Sequence, residues 1–257
     1  MLRENKVKRT LKQGGTVFGT MVQEVRTPCV AQALAAAGLD FLLMDLEHGA
    51  FSLETVADMA QVARLSGIMP FVRVSDHDYP YLARALDAGV MGLMVPRIES
   101  RAQVEAVVRS IRYPPEGRRG CAVTARQTEF STVGVKDWIA WANAETLLII
   151  QIEERAAIED LEGILSVPGV DVALIGPNDL SISLGVPGEV THPVMQAAME
   201  RVVDVAARYG VASGMHVRDL GVLRTWQARG MRFLMYANEV LLMRQAGEQA
   251  AKALRGG

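Results

Sequence analysis

Leu147-Leu148-Ile149-Ile150-Gln151-Ile152-Glu153 is apolar almost without a break, shows no alternation, and closes on an amide and a carboxylate. A strand with one wet face alternates, whereas a parallel strand covered by helices on both faces needs apolar side chains on each. The segment that follows, Arg155–Leu165, has helical periodicity. The same pairing recurs in both directions. Apolar runs at Val17–Met21, Phe41–Asp45, Met69–Val74, Met91–Pro96, Asp171–Gly176, Val211–Met215 and Arg232–Tyr236 bring the set to eight. Helical periodicity fills Pro28–Ala37, Leu53–Leu65, Tyr79–Ala88, Arg101–Ile111, Pro193–Tyr209, Val217–Arg229 and Asn238–Leu254. Gly38, Gly67, Gly89, Gly169, Gly210 and Gly230 stand between a helix and the next strand, where a left-handed C-cap is needed. Eight β-then-α units in 257 residues predict an α/β protein, a closed (β/α)8 TIM barrel, with residues 1–257 as a single domain. An open doubly wound sheet would begin on a glycine-rich phosphate turn, and no G-x-G-x-x-G occurs.

Composition narrows the function classes. The 27 Lys plus Arg nearly balance 29 Asp plus Glu, giving a formal net charge of −2, so nothing electrostatic draws the chain to nucleic acid or an anionic membrane. Half the residues are hydrophobic, enough for a sizeable core and too many for disorder. Two cysteines, Cys29 and Cys121, cannot build a disulfide framework. Met1–Gly15 is basic and polar without the apolar centre of a signal peptide, and no apolar stretch approaches the ~18 residues of a membrane span. The expectation is a soluble cytoplasmic protein.

In a barrel the site forms at the C-terminal ends of the strands. Strand two ends in Asp45-Leu46-Glu47-His48-Gly49, strand three in Arg73, strand five in Gln151-Ile152-Glu153, and strand six runs into Gly176-Pro177-Asn178-Asp179. Glu153 and Asp179, 26 residues apart on consecutive strand ends, would share one side of the mouth. Two carboxylates without cysteine suit a hard divalent ion such as Mg²⁺ or Mn²⁺; equally, Glu153 fits a helix-start acid and Asp179 a capping residue. Asp45 could orient His48 as a base, although a structural histidine fits the same spacing. Arg73 at the end of an apolar strand needs an anion, either a substrate group or Glu47 or Asp45. His216 faces the mouth with no evident partner, while His77 and His192 sit in polar loops. Arg97 and Glu99 are placed to pair with each other or with a neighbouring loop. Backbone N–H groups of Gly176–Ser181 could receive a carboxylate or phosphate. The long excursion Tyr113–Ala144, with Trp138 and Trp141, has the length of a functional loop.

Lysine is scarce. Only Lys6, Lys8, Lys12, Lys136 and Lys252 occur, and none ends a strand, which disfavours imine chemistry and leaves metal assistance as the way to stabilise an enolate.

Asp45-Leu46-Glu47-His48-Gly49, Phe71-Val72-Arg73-Val74, Val95-Pro96-Arg97, Arg112–Gly120, Gln151-Ile152-Glu153 and Gly176-Pro177-Asn178-Asp179-Leu180-Ser181 occur in that order. Together, from about Gly14 to Leu254, they strongly resemble the metal-dependent class II pyruvate aldolases of the hydroxy-oxo-heptanedioate aldolase (HpcH/HpaI) family. The resemblance implies a barrel of the phosphoenolpyruvate/pyruvate type in a homo-oligomer, a hexamer or trimer, with the last helix packed on a neighbouring subunit. It implies Glu153 and Asp179 as ligands of Mg²⁺, Mn²⁺ or Co²⁺, His48 with Asp45 as an acid/base dyad, and Arg73 against the keto oxygen. Gln151 would border the metal, and the backbone of Gly176, Pro177, Asn178 and Asp179 would receive the substrate carboxylate. Two places depart from the family pattern: Asn178 stands where a small residue often precedes the aspartate, and strand eight closes as Tyr236-Ala237-Asn238-Glu239 rather than on a Gly-Ser-Asp-like turn. The implied reaction joins or splits a 4-hydroxy-2-oxo acid into pyruvate and an aldehyde. The alternatives are a related lyase or decarboxylase acting on oxaloacetate or an acyl-CoA, and a barrel that binds without catalysing. Acceptor choice is expected from Gly185-Val186-Pro187, the loop before His192 and the Tyr113–Ala144 excursion.

Overall fold

The computed structural model describes residues 2–255. Its elements run α1 (Lys6–Lys12), β1 (Val17–Val22), α2 (Cys29–Ala36), β2 (Phe41–Asp45), α3 (Leu53–Ser66), β3 (Met69–Arg73), α4 (Tyr79–Asp87), β4 (Gly92–Val95), α5 (Arg101–Ile111), α6 (Val135–Glu145) and β5 (Leu147–Ile152). They continue through α7 (Arg155–Glu159), α8 (Leu161–Leu165), β6 (Val172–Ile175), α9 (Pro177–Ser183), α10 (Pro193–Arg208), β7 (Ala212–Val217), α11 (Leu220–Ala228), β8 (Phe233–Asn238) and α12 (Glu239–Arg255). The eight strands pair in sequence order, all parallel, and β8 closes on β1, so the molecule is the (β/α)8 barrel expected. All six helix-to-strand glycines adopt positive φ, from 68° at Gly210 to 105° at Gly230.

The absence of alternation along the strands has its reason in the two clusters they bury. Phe41, Leu43, Phe71, Ile149, Leu174 and Phe233 fill the barrel interior, whereas Leu42, Met44, Val72, Leu148 and Ile150 lie under the helices. The interior rings crowd: Phe41 and Phe233 stack with centroids 4.3 Å apart. A Cβ at Gly19 would come within 2.5 Å of the Phe41 ring, so glycine there makes room for it.

Helix α1, absent from the expected set, closes the N-terminal end of the barrel with Val7 and Leu11. Its Lys8 is buried, donating from Nζ to Thr146 O at 2.7 Å and pairing with Asp171 at 3.2 Å. Burial pulls the Lys8 ammonium below its ordinary pKa against the opposing Asp171 charge. That is the tuning an imine-forming lysine needs, but it lies at the end opposite the strand-end carboxylates. The Tyr113–Ala144 excursion folds to the same lower end: Trp138 Nε1 donates to Tyr113 Oη at 3.3 Å, and Trp141 Nε1 donates to Arg3 O at 2.8 Å. Its expected role in acceptor choice is therefore corrected for the single chain, since none of its residues lines the cavity at the C-terminal mouth. The helix expected over Arg155–Leu165 breaks at Asp160 (φ −99°, ψ 25°), whose carboxylate accepts from Arg101 N at 2.8 Å. Among the described residues, no helix is long and apolar enough to cross a membrane.

Candidate active site

A cavity of about 600 Å³ opens at the C-terminal ends of the strands, lined in part by His48, Arg73, Gln151, Gly176, Pro177, Asn178 and Asp179. The strand ends named from the sequence thus meet at one mouth. Arg73, at the end of β3, is 6% exposed and held by both candidate acids. Its Nε and Nη2 donate to the two oxygens of Asp45 at 2.8 and 2.6 Å, and Nη1 lies 3.0 Å from Glu47 Oε2. A guanidinium has five N–H bonds, so this fork leaves others for the cavity. Burial pushes the Asp45 carboxyl up, but the Arg73 hydrogen bonds and charge, with the Gln23 amide, outweigh it and hold it below the usual carboxylate range. Burial works to lower the Arg73 pKa, and Asp45, with the Glu47 and Glu153 charges, more than reverses it.

This geometry corrects the expectation that Asp45 orients the His48 ring. Both oxygens of Asp45 are turned to Arg73, Oδ2 also accepts from Gln23 Nε2 at 2.8 Å, and His48 reaches Oδ1 only through its backbone N–H at 3.4 Å. The His48 ring is exposed to the cavity and has no hydrogen-bond partner among the described residues. Of the two expectations for Arg97, pairing with Glu99 or with a neighbouring loop, the structure shows the second. Arg97 Nε approaches Glu47 Oε1 at 3.6 Å, and its backbone N–H donates to Glu153 Oε1 at 2.7 Å.

Glu153 follows β5 and is 3% exposed, so it is no helix-start acid in solvent. Its second oxygen accepts from Gln151 Nε2. Burial pushes its carboxyl up to about 7; the Arg97 N–H opposes this, and the Glu47 and Asp179 charges add to it. Asp179 sits in the first turn of α9, exposed to the cavity, and its carboxylate caps nothing among the described residues. Gln151 Oε1 is buried without a partner. A Cβ at Gly176 would lie 2.8 Å from both Gln151 Nε2 and Glu153 Oε2, so the glycine lets the backbone close directly over this pair. Four carboxylates, Asp45, Glu47, Glu153 and Asp179, face two guanidiniums, Arg73 and Arg97. An oxygen donor set with two negative charges in excess and an orphaned amide oxygen fits a hard divalent cation. Among the described residues, no cluster of three or more His, Cys, Asp or Glu is poised around one point.

His77 and His192 stay outside the cavity, His192 as the N-cap of α10. His216 lines it from the end of β7, and its Nε2 lies 2.7 Å from Ala237 O. Sequence reasoning missed the brace behind Asp45. Asn238 Nδ2 donates to Gln23 Oε1 at 2.7 Å, and the buried Glu239 carboxylate accepts from the backbone N–H groups of Gln23, Glu24 and Val25 at 2.6 to 3.1 Å. The departure at strand eight is thus the anchor for the β1 loop. Ala237 takes φ 55°, the left-handed conformation that a glycine would adopt freely and an alanine adopts rarely.

A family model described as HpcH/HpaI aldolase/citrate lyase matches residues 22–246. A hydroxypyruvate/pyruvate aldolase of Roseobacter denitrificans is 32% identical over 254 residues, covering 98% of both chains. A 2-dehydro-3,6-dideoxy-6-sulfogluconate aldolase of Pseudomonas putida is 32% identical, with 96% of this chain and 95% of the relative covered. In solved structures, the HpcH/HpaI aldolase of Desulfitobacterium hafniense superposes with a TM-score of 0.91 at 32% identity over 96% of each chain. The chain belongs to the HpcH/HpaI aldolase/citrate lyase family and is an aldolase-type lyase.

Proposed function

We propose that this protein is a divalent-metal-dependent aldolase that cleaves or forms 4-hydroxy-2-oxo acids, exchanging them with pyruvate and an aldehyde through an enolate. The observation that carries the reading is the meeting of His48, Arg73, Gln151 and Asp179 in one cavity beside the buried Glu153, in a chain of this family. Glu153 and Asp179 would hold Mg²⁺, Mn²⁺ or Co²⁺, with Gln151 Oε1 beside them. The cation, when bound, supplies Lewis acidity to the 2-oxo acid. Arg73 turns its remaining N–H bonds to the keto oxygen, where charge grows as the carbon–carbon bond breaks. Asp45 acts through Arg73, locking the guanidinium plane with two hydrogen bonds. His48 takes the proton of the C4 hydroxyl on cleavage and returns it on addition. Backbone N–H groups in the first turn of α9, at Asn178 and Asp179 behind Gly176 and Pro177, receive the substrate carboxylate.

In this reading residues 1–257 act as one domain in the cytoplasm, where the free and exposed Cys29 and Cys121 stay reduced. The assembly is a homo-oligomer in which α12 packs on a neighbouring subunit. The test is a pyruvate-release assay over a panel of hydroxy-oxo acids, with and without chelator. Chelation should abolish release, and His48→Ala should lower kcat by about 10²–10⁴. Release that survives both overturns the mechanism.

A further inference from the structure

Two features singled out in the sequence, a histidine at the mouth without a partner and an unusual strand-eight turn, meet at one hydrogen bond. His216 Nε2 lies 2.7 Å from the carbonyl oxygen of Ala237. A carbonyl oxygen only accepts, so Nε2 carries the hydrogen, and in the neutral ring Nδ1 is then a bare acceptor. Burial lowers the ring's pKa; the Ala237 carbonyl opposes this, and the Arg73 and Arg218 charges lower it further, which favours the neutral form. The turn that offers the carbonyl is itself held. Ala237 adopts φ 55°, and Thr20 Oγ1 donates to Tyr236 O at 2.8 Å and sits 3.4 Å from Ala237 O. Ring orientation and tautomer are therefore set from behind, by a backbone conformation that an alanine adopts only under constraint. On the other side, Nδ1 has no hydrogen-bond partner among the described residues and is not sealed from solvent. The ring lines the same cavity as Arg73, Gln151 and Asp179.

An acceptor fixed in this way selects a donor. Carboxylate and keto oxygens of a 2-oxo acid only accept, and such substrates carry no N–H, so the one substrate group that can replace water at Nδ1 is a hydroxyl. We propose that His216 is a substrate-binding residue whose Nδ1 accepts a hydrogen bond from a substrate hydroxyl, so that the site favours hydroxylated donors or acceptors over their deoxy analogues. The inference rests on the aldolase reading of this cavity.

The test uses the full-length, Mg²⁺-loaded protein as wild type, His216→Gln and His216→Asn. One arm compares hydroxypyruvate with pyruvate as donor to a common aldehyde, and the other compares glycolaldehyde with acetaldehyde as acceptor for pyruvate. A Gln amide reaches the position of Nε2 and can still donate to Ala237 O, but it leaves nothing at Nδ1; Asn places its polar atoms near Nδ1. His216→Gln should lower the hydroxyl-to-deoxy ratio of kcat/KM by about tenfold or more in one arm, with the deoxy substrates little changed and His216→Asn recovering part of the loss. The ratio is internal to each preparation, so a partly unfolded fraction does not move it. Unchanged ratios in both arms, with deoxy substrates still turned over, overturn the assignment of His216 and leave the aldolase reading standing. No turnover of any substrate pair by the wild type overturns the reading of the cavity itself.

Discussion

Glu153 is a carboxylate that the folded chain holds under tension. It is 3% exposed, and burial raises its pKa from 4.5 to about 7, with only the Arg97 N–H and the Arg73 charge opposing. Below about pH 4.5 the folded and unfolded chains both keep its proton and the group is neutral to stability. Between 4.5 and about 7 only the folded chain keeps it, so metal-free stability falls as pH rises, and the penalty is complete above about 7. The shift corresponds to ~3 kcal/mol. Glu153→Gln removes the charge while keeping an acceptor for the Arg97 N–H, and its amide can donate to the orphaned Gln151 Oε1 if the Gln151 amide turns over. In chelator at pH 8, the urea midpoint of Glu153→Gln should exceed that of the wild type, and near pH 4.5 the two should converge. A wild-type midpoint flat across that interval would contradict the burial argument.

At the scale of elements, the strands were readable because a parallel strand between helices cannot alternate, and the six C-cap glycines because positive φ at a helix end nearly demands them. Helix α1 escaped notice because KVKRTLK shows just two inward apolar residues, Val7 and Leu11, too few to display a period. Helix α9 spans only seven residues and opens on Pro177. Site residues were readable as strand ends, and Glu47 or Asp45 as an anion for Arg73, but the full set of partners around Asp45 was not. Asp45 turned to Arg73 because β2 and β3 pair them side by side, and Gln23 meets Asn238 across 215 residues only because the barrel closes. Such lateral bonds depend on register, which one strand's sequence does not carry. Helix α12 poses the opposite problem: of its residues only Glu239 is buried, while Met243 is 57% and Leu254 89% exposed. A helix with this pattern, contributed to a neighbouring subunit, predicts a sedimentation mass several times the 27.9 kDa of one chain. Met243→Glu should shift the distribution toward single chains, and a wild type that sediments at one chain's mass removes the oligomer from the proposal.

Across the whole molecule, charge is divided between the two ends of the barrel. The lower end buries Lys8 against Asp171 and is closed by α1, whereas the upper end sets Asp45, Glu47, Glu153 and Asp179 around Arg73 and Arg97 at the cavity that Arg73 and Asp179 line. A formal net charge of −2 for 257 residues conceals this local excess. A divalent cation that binds only the folded chain must stabilise it by mass action, by ~2.7 kcal/mol at a hundredfold excess over Kd. For a chain of this length that is roughly 5–10 °C in Tm. The gain depends on pH in a direction Glu153 sets: the ligand must be deprotonated to bind, and its carboxyl is held near 7 by burial and by its acidic neighbours. The rise in Tm on adding Mg²⁺ or Mn²⁺, measured against chelator, should therefore be small at pH 5 and full at pH 8. Apo protein loses stability across the same interval and the bound cation offsets that loss, so the two curves separate as pH rises because the apo curve falls. Glu153→Gln and Asp179→Asn should flatten the difference, and equal Tm values with cation and chelator at pH 8 would remove the metal from the proposed function.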